Sequence, residues 1–119
     1  MKKLDREFTI CKLRDLSDTD LRKEYFFLSK TDEEISLVCP SADVPSSADI
    51  RDDGWRGFRV EGVLDFSLIG ILAKISSLLA EAKIGIFVVS TYNTDYVFTK
   101  RDHFDRALEV LSEAGYEII

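Results

Sequence analysis

The spacing of apolar residues in the second half of the chain limits its fold more than any other feature. Apolar side chains recur there every three or four residues, at Leu68, Leu72, Ile75, Leu79 and Ala82. This spacing predicts a helix that lays one face on a core. Apolar, β-rich runs lie on both sides of it, at residues 55–64 and 84–90. The order strand, helix, strand is therefore predicted across residues 55–90.

The rest of this half completes a six-element pattern. Residues 96–99 predict a strand that forms a hairpin with residues 84–90. A second helical stripe follows at Phe104, Ala107, Leu108 and Leu111. Asp102 is the predicted N-cap of that helix, Gly115 is placed to end it, and residues 116–119 predict a closing strand. The order β-α-β-β-α-β is that of a ferredoxin-like unit, an α+β fold whose antiparallel sheet carries its helices on one face.

The first half of the chain gives a weaker version of this pattern. Residues 8–13 alternate apolar and polar side chains, which predicts a strand, and residues 25–29 and 35–39 predict a hairpin. The polar residues 17–24 predict a turn or a short helix rather than a full amphipathic helix. Residues 41–53, which hold Pro45, three serines and four aspartates, predict a loop or a short helix.

A faint internal repeat connects the two halves. Residues 27–38 can be aligned with residues 88–99, which matches Ser29 with Ser90 and Glu34 with Asp95. Together with the shared order strand, hairpin, strand, this match favours a duplication. We therefore predict a truncated first unit at residues 1–54, which lacks a proper first helix, and a complete second unit at residues 55–119.

Charge and cysteine content exclude several classes of protein. The chain has a formal net charge of -6, and no basic patch that could neutralise phosphates is visible, which argues against a nucleic-acid partner. The longest apolar stretch, residues 63–82, is interrupted by polar and charged side chains, so we expect no membrane span. The charged N-terminal residues do not form a signal peptide, and Cys11 and Cys39 are expected to be buried free thiols. We expect a cytoplasmic protein.

The sequence offers little from which a catalytic centre could be built. It lacks the motifs of serine hydrolases, zinc proteases, P-loop enzymes and dinucleotide-binding enzymes. His103 is the one histidine and is predicted to be an exposed residue at a helix start, and it does not combine with the two distant cysteines into a zinc site. We therefore expect neither an enzyme nor a bound metal or cofactor.

Two segments carry side chains that could bind a small ligand. The first, residues 65–70, is the predicted corner between strand and helix, where unpaired backbone N–H groups can hold a carboxylate. In the alternative interpretation, Asp65 or Ser67 simply caps the helix and Gly70 makes room for a neighbouring strand. The second, residues 90–96, is a polar hairpin in which Asp95 could accept bonds from a cation and Tyr92 could offer an apolar wall. An ordinary polar turn explains it equally well.

These segments resemble the ACT domain family. The residues that carry the likeness are DFSLIGILAKISSLLAEAKIGIFVVSTYNTDYVFTK, at positions 65–100, and SKTDEEISLVCP, at positions 29–40. Within the family, the chain is most similar to small bacterial two-unit proteins related to the cytosolic arginine sensors and to the regulatory tails of aspartate kinases. The resemblance implies tandem ACT units and a regulatory module that binds an amino acid between units, with a homodimer and a regulated protein partner as expectations.

The resemblance also implies which residues form the ligand site. They are Asp65, Phe66, Ser67, Leu68 and Gly70 of the strand-to-helix corner, with Thr91, Tyr92 and Asp95 of the hairpin. In the arginine sensors, the acid that matches Asp95 holds the guanidinium and the aromatic residue that matches Tyr92 walls the pocket.

Two positions depart from the arginine sensors. A second acid of their loop falls at Leu68 here, and the glycine that opens their loop falls at Asp65. These departures leave two alternatives: a site for another amino acid, or a module for protein interaction that retains no ligand site.

Overall fold

The computed structural model describes residues 1–61 and 70–119. The chain divides into two compact units, one formed by Arg6–Trp55 and the other by Met1–Asp5 with Arg56–Ile119. We call them the 6–55 unit and the 56–119 unit, and residues 1–5 belong to the latter. The assignment of residues 1–54 and 55–119 to two ACT units stays a prediction.

The 6–55 unit is an antiparallel sheet. Its strands are β2 (Phe8–Leu13), β3 (Phe27–Lys30), β4 (Ile35–Pro40) and the first part of β5 (Ala48–Arg59). They lie in the order β3-β4-β2-β5, and a short 3-10 helix, Ser41–Asp43, follows β4. Four buried residues form the centre of its core: Cys11, Leu13, Leu37 and Cys39.

One prediction for this unit is wrong. Residues 48–53 were expected in a loop or a short helix, but they form the start of β5. Ile50 pairs with Lys12 and Arg51 pairs with Cys11, so this segment fills the edge of β2 that β4 leaves open. Strand pairing within the unit thus outweighs the poor strand propensity of the three aspartates in this segment.

The 56–119 unit has the predicted α+β architecture. Its sheet holds β1 (Lys2–Lys3), residues 56–59 of β5, β6 (Ile86–Ser90) and β7 (Asp95–Lys100). The helices are α1 (Ile71–Glu81) and α2 (Arg101–Glu113). One buried cluster joins them to the sheet, and it includes Phe58, Val60, Ile75, Leu79, Val97, Phe104, Leu108 and Leu111. The apolar periodicity of the sequence therefore predicts both helices and the face on which they pack.

The predicted closing strand is not a regular strand. Residues 116–119 form an extended segment that is hydrogen-bonded to the N-terminus: Lys3 N donates to Ile119 O at 3.0 Å, and Ile119 N donates to Met1 O at 2.8 Å. The ammonium group of Met1 also donates to Glu117 O at 2.6 Å. The edge of β5 is already occupied, since Lys2 pairs with Arg59 and Lys3 with Phe58.

Of the two ends predicted for α2, only the C-terminal end is confirmed. Gly115 has φ +100° and ends the helix, with Tyr116 N donating to Leu111 O at 3.0 Å. The N-cap of α2 is Lys100 rather than Asp102, because β7 continues directly into the helix. Asp102 lies in the first turn, where a negative charge is favourable.

The start of α1 is described only from Gly70 onward. Gly70 occupies its N-cap position with φ +85°, and no side chain of a described residue caps the helix there. The predicted caps Asp65 and Ser67 lie outside the described residues. Neither helix of the described part of the chain is long and apolar enough to cross a membrane.

Candidate functional site

The turn between β6 and β7 is held together by one threonine. Thr91 N donates to Thr94 O at 2.8 Å, and Thr91 Oγ1 donates to the same carbonyl oxygen at 3.0 Å. These bonds close a four-residue turn, Thr91 to Thr94, without glycine or proline. The local bonds of the hydroxyl group stand in for the usual turn residues.

Asp95 begins β7 on the face of the sheet that carries the helices. It pairs with Ser90 across the hairpin, and Ser90 Oγ donates to Asp95 Oδ1 at 2.6 Å. Val97, two residues further along the strand, is buried in the cluster with the helices. Since side chains two residues apart share a face, the carboxylate of Asp95 lies on the helix-bearing face at the turn end of the sheet.

The hairpin is joined to the end of β5. Val60 N donates to Asp95 O at 3.0 Å, and Thr94 Oγ1 donates to Val60 O at 2.6 Å. Val60 is buried, and Glu61 follows it directly as the first residue of the strand-to-helix segment, by which we mean residues 61–70. The acid-bearing hairpin and the beginning of that segment are therefore neighbours.

The structure describes only half of the residues predicted for the site. Asp65, Phe66, Ser67 and Leu68 lie outside the described residues. Gly70 is exposed, and a Cβ atom added to it would meet no atom of the described residues within 4 Å. Thr91 and Asp95 come together in one hairpin, whereas the side chain of Tyr92 is fully exposed.

Sequence reasoning missed a polar cavity on the other face of the same sheet. A cavity of about 270 Å³ is lined by Arg59, Val60, Glu61, Asn93, Thr94 and Tyr96, and we call it the Arg59 cavity. Arg59 Nε donates to Glu61 Oε1 at 3.1 Å. A hydrogen bond with Tyr96, together with Glu61, raises the pKa of Arg59 above its usual value. The alternation of Phe58 and Val60 with Arg59 and Glu61 was the available signal.

A second cavity of about 360 Å³ lies between the end of β5 and the start of α1. Val60, Glu61 and Ile71 line one side of it, and Met1, Gly115, Tyr116, Glu117 and Ile119 line the rest. It shares Val60 and Glu61 with the Arg59 cavity. The end of β5 is therefore flanked by two concave surfaces.

The hairpin of the 6–55 unit repeats the same turn and corrects the predicted repeat by one residue. Thr31 N donates to Glu34 O at 2.9 Å, and Glu34 N donates to Thr31 Oγ1 at 3.2 Å. Thr31 therefore corresponds to Thr91, and Ile35 rather than Glu34 corresponds to Asp95. The alignment of the two segments is shifted by one residue because it matched side-chain chemistry, whereas the turn starts at the threonine in both hairpins.

Comparisons with sequence models of protein families and with solved structures both gave matches. The sequence model of the ACT domain matches residues 50–113, more than half of the chain. The solved structure of protein Atu0741 from Agobacterium tumefaciens is 28% identical over 99% of this chain and 90% of that one, with a TM-score of 0.87. A search of curated proteins gave no match.

Two more distant structures share the fold. VC0802 from Vibrio cholerae is 18% identical over 93% of this chain and 85% of that one, with a TM-score of 0.73. The aspartate kinase of Clostridium acetobutylicum is 16% identical over 93% of this chain and 33% of the kinase, with a TM-score of 0.66.

Proposed function

We propose that this chain, which belongs to the ACT domain family, is a non-catalytic regulatory module that binds an amino acid. The proposed site combines the hairpin residues Thr91, Tyr92 and Asp95 with Asp65, Phe66, Ser67, Leu68 and Gly70 of the strand-to-helix segment. The observation that carries the proposal is the pair of hydrogen bonds between Val60 and residues 94–95, at 3.0 and 2.6 Å. They keep the acid-bearing hairpin beside the start of that segment.

The chemistry of the two elements suits the two charged groups of an amino acid. The Asp95 carboxylate can accept about four hydrogen bonds, of which Ser90 uses one, and it can bind an ammonium or guanidinium group. The first N–H groups of α1 lack partners within the helix and carry a partial positive charge, which suits a carboxylate. Gly70 at the N-cap leaves the backbone open to a ligand.

The relatives support a regulatory role. The Clostridium acetobutylicum aspartate kinase is described as an allosteric enzyme, and its fold contains a region similar to this chain. We infer that the present chain likewise transmits ligand binding to a protein partner, that it acts in the cytoplasm, and that it forms a homodimer. Light scattering of the purified protein tests the dimer, since a monomeric mass would contradict it.

A thermal-shift screen of the twenty amino acids tests the ligand. A ligand at 100 times its Kd stabilises the folded state by about 2.7 kcal/mol, which raises the Tm by several degrees. Asp95→Asn should abolish that rise. Glu34→Gln, which removes one negative charge from the turn of the other hairpin, is the matched control and should leave the rise intact.

The screen also separates the alternative function. If no amino acid raises the Tm, or if Asp95→Asn keeps the full rise, the ligand site proposed here is wrong. A module for protein interaction without a ligand site would give the first of these results.

A further inference from the structure

The Arg59 cavity and the carboxylate of Asp95 lie on opposite faces of one sheet. Phe58 and Val60 are buried against the helices, so Arg59 between them points to the helix-free face. Tyr96 lies on that face too, because its neighbours Asp95 and Val97 share the helix-bearing face. The cavity is thus separated from the Asp95 carboxylate by the thickness of the sheet.

The charged groups of the cavity hold each other in place. Nε and Nη2 of Arg59 both lie 3.1 Å from Glu61 Oε1, and Tyr96 is a further hydrogen-bond partner of the guanidinium. The Arg59 side chain is only 25% exposed, whereas that of Glu61 is 37% exposed. A guanidinium has five N–H donors and a carboxylate about four acceptor positions, so both groups keep capacity for a ligand.

A cavity at the corresponding position of the 6–55 unit also presents both signs of charge. In that unit, Leu13 pairs with Ile35, and this pairing corresponds to the bond between Val60 and Asp95. The adjoining turn is the one that starts at Thr31. The cavity is about 490 Å³ in volume and is lined among others by Lys12, Lys30 and Glu33. The end of the central strand and the adjoining turn thus form a charged hollow in each unit.

We propose that the Arg59 cavity is a second binding site, which takes the zwitterionic head of a small α-amino acid. A simple anion would be attracted by Arg59 but repelled by Glu61. A simple cation would be attracted by Glu61 but repelled by Arg59. A molecule that carries both charges can place its carboxylate on Arg59 and its ammonium group on Glu61. The hydroxyl of Tyr96 and the amide of Asn93 offer further hydrogen bonds, and about 270 Å³ accommodates a small amino acid.

Titration of the full chain by nuclear magnetic resonance tests this site. We expect glycine, L-alanine or L-serine at millimolar concentration to give a saturable shift of the Arg59 Nε–H signal. Acetate and methylammonium, which each carry half of the zwitterion, should give no saturable shift. A wild-type protein that shows no saturable shift with any of the three amino acids would overturn the proposal.

Substitutions distinguish this site from the one at Asp95. Arg59→Gln and Glu61→Gln should each weaken binding at least about tenfold, which corresponds to about 1.4 kcal/mol. Here the shift of the Asn93 and Tyr96 amide signals reports binding. Arg106→Gln, an exposed arginine of α2, is the matched control and should bind as the wild type does.

The result with Asp95→Asn separates the two proposals. Binding that is lost in Asp95→Asn and kept in Arg59→Gln and Glu61→Gln would overturn the second site and support the proposed function. Binding that is lost in Arg59→Gln and Glu61→Gln and kept in Asp95→Asn would support the second site and would not count against the proposed function, whose ligand site the thermal-shift screen tests.

Discussion

The ring of Phe98 covers Gly57 so closely that no side chain fits between them. A Cβ atom at Gly57 would lie 2.7 Å from both Cδ1 and Cε1 of Phe98. The ring has little freedom to move away, because Phe87 stacks on it with centroids 4.7 Å apart and an interplanar angle of 13°. Gly57 on β5 is therefore required by packing and not by backbone conformation.

Gly57→Ala should destabilise the protein. Forcing one extra carbon into a packed site costs about 1–3 kcal/mol, so urea denaturation should show that loss in the free energy of unfolding. Gly85→Ala is the matched control, since a Cβ there would meet nothing within 4 Å. Phe98→Leu added to Gly57→Ala should recover part of the loss, and a Gly57→Ala variant as stable as Gly85→Ala would contradict the packing argument.

The two helices end in the same motif with different residues at the left-handed position. Gly115 follows α2 with φ +100°, and Lys83 follows α1 with φ +61°. Two backbone hydrogen bonds close each helix. One of the two runs from Gly115 N to Ser112 O at 3.0 Å in α2, and one runs from Lys83 N to Ala80 O at 2.9 Å in α1. Glycine adopts this conformation without strain, whereas a residue with a Cβ atom does not.

Substitutions at these two positions should therefore change stability in opposite directions. Gly115→Ala should lower the free energy of unfolding by about 1 kcal/mol, and Lys83→Gly should raise it by about 0.5–1 kcal/mol. Chemical denaturation of both variants beside the wild type checks the signs. Changes of the same sign at the two positions would show that backbone strain does not control these helix ends.

Cys39 should make the protein less stable at alkaline pH. Burial raises the pKa of its thiol from 9.0 to about 12, and the neighbouring Cys11 contributes. Between pH 9 and 12 the folded state keeps a proton that the unfolded state releases, so the free energy of unfolding falls as the pH rises. For one titrating group, the free energy of unfolding can fall by at most about 1.4 kcal/mol per pH unit.

The contribution of Cys39 can be separated from the other groups that titrate in this range. Urea denaturation of the wild type and of Cys39→Ala at several values between pH 8 and 11 gives the two slopes. Cys39→Ala is expected to be less stable at pH 8 but to lose less stability as the pH rises. Parallel slopes in the two proteins would contradict the raised pKa.

Local periodicity explains why the helices and the second hairpin could be predicted from the sequence. Ile75 and Leu79 of α1 and Leu108 of α2 recur at helical spacing and are buried in one cluster, because that spacing alone decides which face a helix buries. The hairpin of β6 and β7 follows from short β-rich runs around a polar turn. Of the two segments that carry the resemblance to the family, residues 65–100 lie within the matched residues 50–113 and residues 29–40 lie outside them.

Features that depend on pairing between distant segments could not be predicted from the sequence. Four of residues 48–53 are charged, and the segment adopts strand structure only because β2 offers it an open edge. The Arg59 cavity depends on the register that brings Asp95 opposite Val60, and no local pattern encodes that register. The same holds for the turn at Thr31, whose geometry and not its composition shows that Ile35 corresponds to Asp95.

The bond from Thr94 Oγ1 to Val60 O should be what keeps the hairpin on the end of β5. Thr94→Val removes the donor and leaves the shape of the side chain nearly unchanged, so the free energy of unfolding should fall by about 1 kcal/mol. The loss should be local: hydrogen exchange at Val60 N–H, which donates to Asp95 O at 3.0 Å, should accelerate more than exchange in the centre of α2. Thr94→Ser keeps the hydroxyl and should leave Val60 protected. If Val60 N–H exchanges equally slowly in Thr94→Val and in Thr94→Ser, the hairpin is held by its strand pairing alone. The link between the acid-bearing turn and the strand-to-helix segment would then not depend on this bond.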